Sequence, residues 1–403
     1  MCFRLAVCLA FLLLPALKCA AAPAFPVEDP LKNPGFVHFY NLEYDQALAD
    51  FEQQARHHPD DPSVYNDIAQ TVLFKEMFRD GALESELVTG TNPFLRRPKM
   101  RIPAQDKTQF NSSVSRAIAL SRARLEKDPN DIGALYAQVV AHGLRANYLF
   151  LVEKAWLDAL HEATEARKAN DKILELRPDF VDAHLASGMS EYIVGCLPLY
   201  MRVLGKLRGF KGDKEDGIRQ LEWVSKSGTL DRYDADVLLA AIYRREHRPK
   251  QAIALLKTLV TTFPRNYLFR FEQVQMYSDL GDKRSALQVL AQIESLRRAG
   301  APGYATLRPE RIQYAKGNLL FWYGDLDPAL SDLKQVTEKA SELDLSTAVM
   351  AWLRLGQVYD LKGDRAEAIQ AYRETLKAAP HSAPALEAEG YISTPYRRKS
   401  PAG

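Results

Sequence analysis

VMAWLRLGQVYDLKGDRAEAIQAYRETLKAAPHS, residues 349–382, decides how the rest of the chain is read. Its marker residues fall in two blocks, Trp352, Leu355, Gly356 and Tyr359, then Ala368 and Tyr372, with Gly363 between them and Pro380 after them. Helical spacing on either side of a glycine predicts two antiparallel helices joined by a tight turn. Gly356 leaves room for the first helix to approach Ala368 of the second, while Trp352, Leu355, Tyr359 and Tyr372 fill the seam. One such hairpin cannot bury its own apolar face, so further copies are required.

Copies are present. An Ala followed twelve residues later by a Pro occurs as Ala47/Pro59, Ala117/Pro129, Ala166/Pro178, Ala252/Pro264 and Ala368/Pro380. From Tyr233 the register is regular: Tyr243, Tyr277, Leu320 and Tyr359 are equivalent, as are His247, Gly281, Gly324 and Gly363, and Ala252, Ala286, Ala329 and Ala368. The extra residues between these copies fall in the links Arg297 to Arg308 and Ala340 to Ser346, which are loops rather than domain boundaries. No sustained strand-like alternation occurs. The expected fold is therefore all-α, a right-handed helical solenoid of about eight hairpins. It divides into a leader at 1–24, degenerate hairpins at 25–230, a regular array at 231–383 and a tail at 384–403. Insertions at 80–110 and 193–214 separate the first and second helices of their hairpins. The tail begins as a capping helix and is expected to fray at Tyr396-Arg397-Arg398-Lys399.

Written as W-x2-L-G-x2-Y, then A-x3-Y, then P, the stretch 349–382 resembles the tetratricopeptide repeat, with Tyr in place of the usual Phe. The mature chain also resembles a family of exported bacterial tetratricopeptide proteins of unknown role. That likeness lies in Gly81-Ala82-Leu83-Glu84-Ser85-Glu86, Asn92-Pro93-Phe94-Leu95-Arg96-Arg97, Leu144-Arg145-Ala146-Asn147-Tyr148, Gly209-Phe210-Lys211-Gly212-Asp213-Lys214 and Phe321-Trp322-Tyr323-Gly324-Asp325. The central part is more distantly similar to eukaryotic repeat proteins of the mitochondrial outer membrane and lipid droplets. These resemblances imply an interaction scaffold outside the cytoplasm; they supply no catalytic residue and no cofactor.

Residues 1–26 read as an export signal: Arg4, an apolar run from Leu5 to Leu17, then Ala20-Ala21-Ala22-Pro23-Ala24, with cleavage expected near Ala22 or Ala24. Cys19 suggests lipid attachment, but Lys18 stands where a small residue should precede a modified cysteine. Cleavage removes Arg4 and Lys18 and leaves equal numbers of basic and acidic residues. Nucleic acid is therefore not expected among the partners. Only Cys196 remains in the mature chain, so no internal disulfide forms and packing must hold the fold. The expected location is the periplasm or cell envelope rather than full release.

Two surfaces are candidates for binding. The first helices of such hairpins line a concave groove, and the groove-facing places include Val237, Arg244, Arg245, Phe271, Gln275, Tyr314, Asn318, Phe321, Trp322, Leu353, Gln357 and Asp360. Rings supply area and the amides can pair with a peptide backbone, which suits a protein or peptide partner. The alternative for any one of these aromatics is packing between neighbouring units. The fifth places, Val237, Phe271, Tyr314 and Leu353, carry no lysine, so carboxylate clamping is not expected. The second candidate surface is the pair of insertions. Arg96, Arg97, Lys99 and Arg101 surround Phe94 and Met100. Arg202, Lys206, Arg208 and Lys211 flank Leu197, Tyr200, Met201, Leu204 and Leu207. Basic residues beside an apolar stripe suit an anionic partner or a peripheral membrane contact; the plainer reading is a helix covering the core with its charges in water.

Enzymatic motifs are weak. His161-Glu162-Ala163-Thr164-Glu165 approaches a zinc-protease helix, but Glu165 stands where the second His belongs. No G-x-S-x-G, no C-x-x-C and no phosphate-binding loop is present. Cys196 reads as a buried thiol on an apolar helix. The chain is expected to be non-enzymatic, without metal or cofactor.

Overall fold

The structure, a computed structural model, describes residues 27–83, 99–197, 202–203, 212–380 and 382–398. Among them are seventeen α-helices and no strand. Sixteen pair in sequence as eight antiparallel hairpins. Units one and two are α1 (Pro34–Tyr40) with α2 (Tyr44–His57), and α3 (Pro62–Arg79) with α4 (Ala104–Lys127). Units three and four are α5 (Ile132–Tyr148) with α6 (Trp156–Leu176), and α7 (His184–Cys196) with α8 (Lys214–Ser227). Units five and six are α9 (Arg232–Arg245) with α10 (Pro249–Thr262), and α11 (Tyr267–Asp279) with α12 (Lys283–Arg298). Units seven and eight are α13 (Pro309–Tyr323) with α14 (Leu326–Glu338), and α15 (Leu345–Lys362) with α16 (Arg365–Ala378); α17 (Ala383–Ser393) caps the array.

Local chemistry explains the punctuation. Two residues after four of the repeating prolines stand Asp61, Asp131, Asn266 and Ser382, each an N-cap accepting a backbone N–H of the next helix. His247, Gly281, Gly324 and Gly363 all hold positive φ, between 56° and 88°, so the equivalence read from sequence is also a conformational one. The seam of unit eight differs in one detail: the atoms nearest Gly356 are those of the Tyr372 ring, where a Cβ would lie 2.5 Å from Cε1.

The array closes on itself. The turn after α1 reaches the turn before α11, more than 220 residues on. Arg265 makes a two-pronged pair with Glu43, at 2.8 and 2.9 Å, and its backbone N–H meets Asn41 Oδ1 at 3.0 Å. Asn266 Nδ2 donates to the Tyr40 carbonyl at 2.8 Å, and the Tyr40 ring stacks on Phe263 at 4.7 Å. The Tyr40 hydroxyl donates to Asp234 Oδ1 at 2.9 Å, while Tyr136 donates to Asp231 at 2.6 Å. Units one, three and five thus meet at the start of α9, and unit six joins unit one through Arg265 and Asn266.

Burial pushes the Asp234 carboxyl up to about 6, against the pull of the Tyr40 hydroxyl. Asp231 is raised by burial first and by the Asp234 charge next. A carboxyl raised in the folded state stabilises it fully below pH 4 and loses that contribution as pH rises through 6. Asp234→Asn, which keeps an acceptor for Tyr40, is therefore expected to raise stability by about 1–2 kcal/mol at pH 7 and by almost nothing at pH 4. Denaturant melts of both proteins at the two pH values check this.

Two expectations change. α4 begins at Ala104, inside the 80–110 segment read as an insertion, because Phe110 and Met100 are core residues at 1% and 4% exposure. Met100 therefore is not part of an exposed basic surface; its backbone N–H bonds to the Leu151 carbonyl at 3.3 Å, and Lys99 pairs with Glu153. The tail does not fray at Tyr396: residues 394–398 lie against units seven and eight.

Candidate functional site on the first-helix face

α9, α11 and α13 bring Arg244, Phe271, Gln275 and Tyr314 to the wall of one small, solvent-open cavity. Leu268, Glu272, Arg311, Ala315 and Thr347 complete the wall, and Leu83 of unit two faces them from the other side of the closure. Arg311 is fixed over two rings, 5.4 Å from the centre of Tyr267 and 5.8 Å from that of Phe271, and it donates to the Tyr267 hydroxyl at 3.2 Å. The Arg244 side chain is buried between two carboxylates, Glu272 at 3.3 Å and Asp279 at 3.7 Å. Burial raises the Asp279 carboxyl; Arg244 opposes that shift and Glu272 adds to it. The cavity therefore combines ring faces, one amide and both signs of charge, a mixture that suits a peptide side chain with its backbone.

The other groove residues form a second cluster in units seven and eight. Arg354 is 7% exposed, donates to Asn318 Oδ1 at 2.7 Å and Gln357 Oε1 at 2.5 Å, and lies 4.5 Å and 4.7 Å from the Phe321 and Trp322 ring centres. The tail covers part of this cluster. Tyr396 packs on Phe321 at 5.9 Å and on Tyr391 at 5.3 Å, its N–H bonds to Asp360 Oδ2 at 2.8 Å, and Arg398 donates to the Phe321 carbonyl.

Asn318, Phe321, Leu353 and Gln357 are buried at 3% or less, so they build the wall rather than offer surface. Trp322 stays 54% exposed, and Phe271 and Gln275 are half-buried. Arg245 is not in the cavity; its charge acts on Glu246 and Tyr192. Arg311 occupies the second place of its unit, a groove-facing position, and so was findable by counting; Arg354, at the sixth place, was not. Leu83 arrives through the closure, for which no local pattern exists.

Arg96, Arg97, Lys206, Arg208 and Lys211 lie outside the described residues. Arg202 donates to the Gly212 carbonyl at 3.2 Å, so its guanidinium is engaged by its own chain. Glu162, of the zinc-like motif, meets His142 at 2.6 Å and Arg145 at 3.7 Å and ties α6 to α5. Cys196 is half-buried and free. Among the described residues no group of three or more His, Cys, Asp or Glu could hold a metal ion, and no helix is long and apolar enough to cross a membrane.

Residues 314–383 match the tetratricopeptide repeat family model. No curated protein is significantly similar to the chain in sequence. Among solved structures the chain is similar to yeast Tom70, at 14% identity over 91% of this chain and 88% of that one, with a TM-score of 0.40. It is also similar to the human IFIT1 dimer with PPP-AAAA, at 15% identity over 84% and 69%, TM-score 0.41. The human IFIT1 dimer with m7Gppp-AAAA matches at 13% identity over 87% and 94%, TM-score 0.28.

Proposed function

We propose that the chain is an exported, non-enzymatic scaffold that holds an extended segment of a protein partner on its first-helix face. Tetratricopeptide repeats are protein-interaction modules, and the carrying observation is the cavity where Arg244, Phe271, Gln275 and Tyr314 converge. Fixed cations and carboxylates set the register of a bound segment, and the half-buried Phe271 ring supplies an anchor. Export rests on the leader at 1–24; N-terminal sequencing of the mature protein from the cell envelope is expected to begin after Ala22 or Ala24.

The test places a photo-crosslinking side chain at Gln275 of the full chain in its native envelope. One protein is expected to be captured, and Phe271→Ala in the same chain should reduce its yield about tenfold. Capture unaffected by Phe271→Ala, or crosslinks mainly to lipid, would overturn the reading in favour of the insertion at 197–214.

A further inference from the structure

We propose a second binding track beside the cavity, along the rim where the first helices end, for an extended partner segment carrying an aromatic residue and, two residues on, an arginine. The chain's own residues 394–398 show the mode of occupation. Thr394 is extended, as expected before Pro395, and the segment crosses the end of α15 and then the end of α13. Tyr396 gives its ring to Phe321 and Tyr391 and its N–H to Asp360. Arg398 stands 5.3 Å from the centre of the Phe321 ring and donates to the last-turn carbonyl of the same residue.

The chemistry of the rim selects that segment. α11, α13 and α15 all end here, and a helix C-terminus carries partial negative charge that favours cations. Each end is followed by Gly-Asp: Gly281-Asp282, Gly324-Asp325 and Gly363-Asp364. A Gly at these turns leaves the carbonyls open to an approaching side chain: a Cβ on Gly324 would lie 3.2 Å from Arg398 Nη1. The seat is also built for exchange. Asp360 is fixed independently of the tail, by the Tyr372 hydroxyl and Arg365, each at 2.8 Å, so it stays oriented when the tail leaves. Tyr396 is only half-buried, and Thr394, Pro395, Arg397 and Arg398 are exposed, so the tail is a weak occupant held mainly by its tether. A partner segment with the same aromatic–x–Arg pattern competes on equal contacts. The track is separate from the cavity, so its failure leaves the cavity reading intact.

The test uses the full chain and a synthetic peptide, Ser-Thr-Pro-Tyr-Arg-Arg-Lys, matching residues 393–399. Tyr396→Ala with Arg398→Ala empties the seat without touching a helix. This variant is expected to bind the peptide at least about tenfold more tightly than the unaltered chain, with affinity falling as salt rises. A peptide with Ala at its Tyr and second Arg should not bind. The proposal is overturned if the variant, shown to be folded by circular dichroism, binds no better than the unaltered chain, if the alanine peptide binds equally, or if the variant instead self-associates without taking up peptide.

Discussion

Gly303→Ala is expected to lower stability by at least about 3 kcal/mol, while Gly300→Ala, three residues earlier in the same loop, should cost only about 1 kcal/mol. Both glycines hold positive φ, 80° and 64°, where an L side chain is strained. They differ in surroundings: a Cβ on Gly303 would lie 2.1 Å from the Arg265 carbonyl oxygen and 2.8 Å from two more backbone atoms, whereas nothing lies within 4 Å at Gly300. Backbone cannot rotate away, so the loop would have to lift, taking the buried Tyr304 and Leu307 with it. Denaturant melts of the two variants decide the matter, and equal losses would refute the clash.

Tyr40→Ala is expected to destabilise by about 3–5 kcal/mol, the cost of emptying a buried aromatic site. The informative part is where the loss is felt. In a linear repeat array each unit answers only to its neighbours, so a change in α1 would loosen units one and two. Here Tyr40 stacks on Phe263 and bonds Asp234, and hydrogen exchange is expected to quicken in α9 and the start of α11 as well. Unchanged exchange there would show that the closure contributes nothing. Tyr40→Phe isolates the hydroxyl, with an expected cost of about 1 kcal/mol.

Sequence revealed what is local and periodic. Trp352, Gly356, Ala368 and Pro380 announced a hairpin, and their echoes gave the eight units, because each copy must solve the same packing problem. Phe271, Gln275, Tyr314 and Arg244 were placed on one face by counting within a unit, and they do share one cavity. What stayed hidden depends on contacts between distant units. Glu43 and Arg265 look like ordinary surface charges until the array turns far enough to pair them. Leu83 reaches the cavity for the same reason. Phe321 and Leu353 sat at groove-facing places, yet the neighbouring helix and the tail cover them, which a single unit's pattern does not encode.

The bond between Glu43 and Arg265 also divides the molecule mechanically. A helical array tied only to its neighbours stretches like a spring, each joint giving a little. Tying unit one to unit six turns that stretch into a hoop, which resists extension because its ends are already joined. Compliance is left to units seven and eight, beyond the tie. The cavity straddles that boundary, with Arg244, Phe271 and Gln275 on the stiff hoop and Arg311, Tyr314 and Thr347 on the yielding end, while the rim occupied by the tail rides wholly on that end, so tension between two bound partners would be absorbed there first.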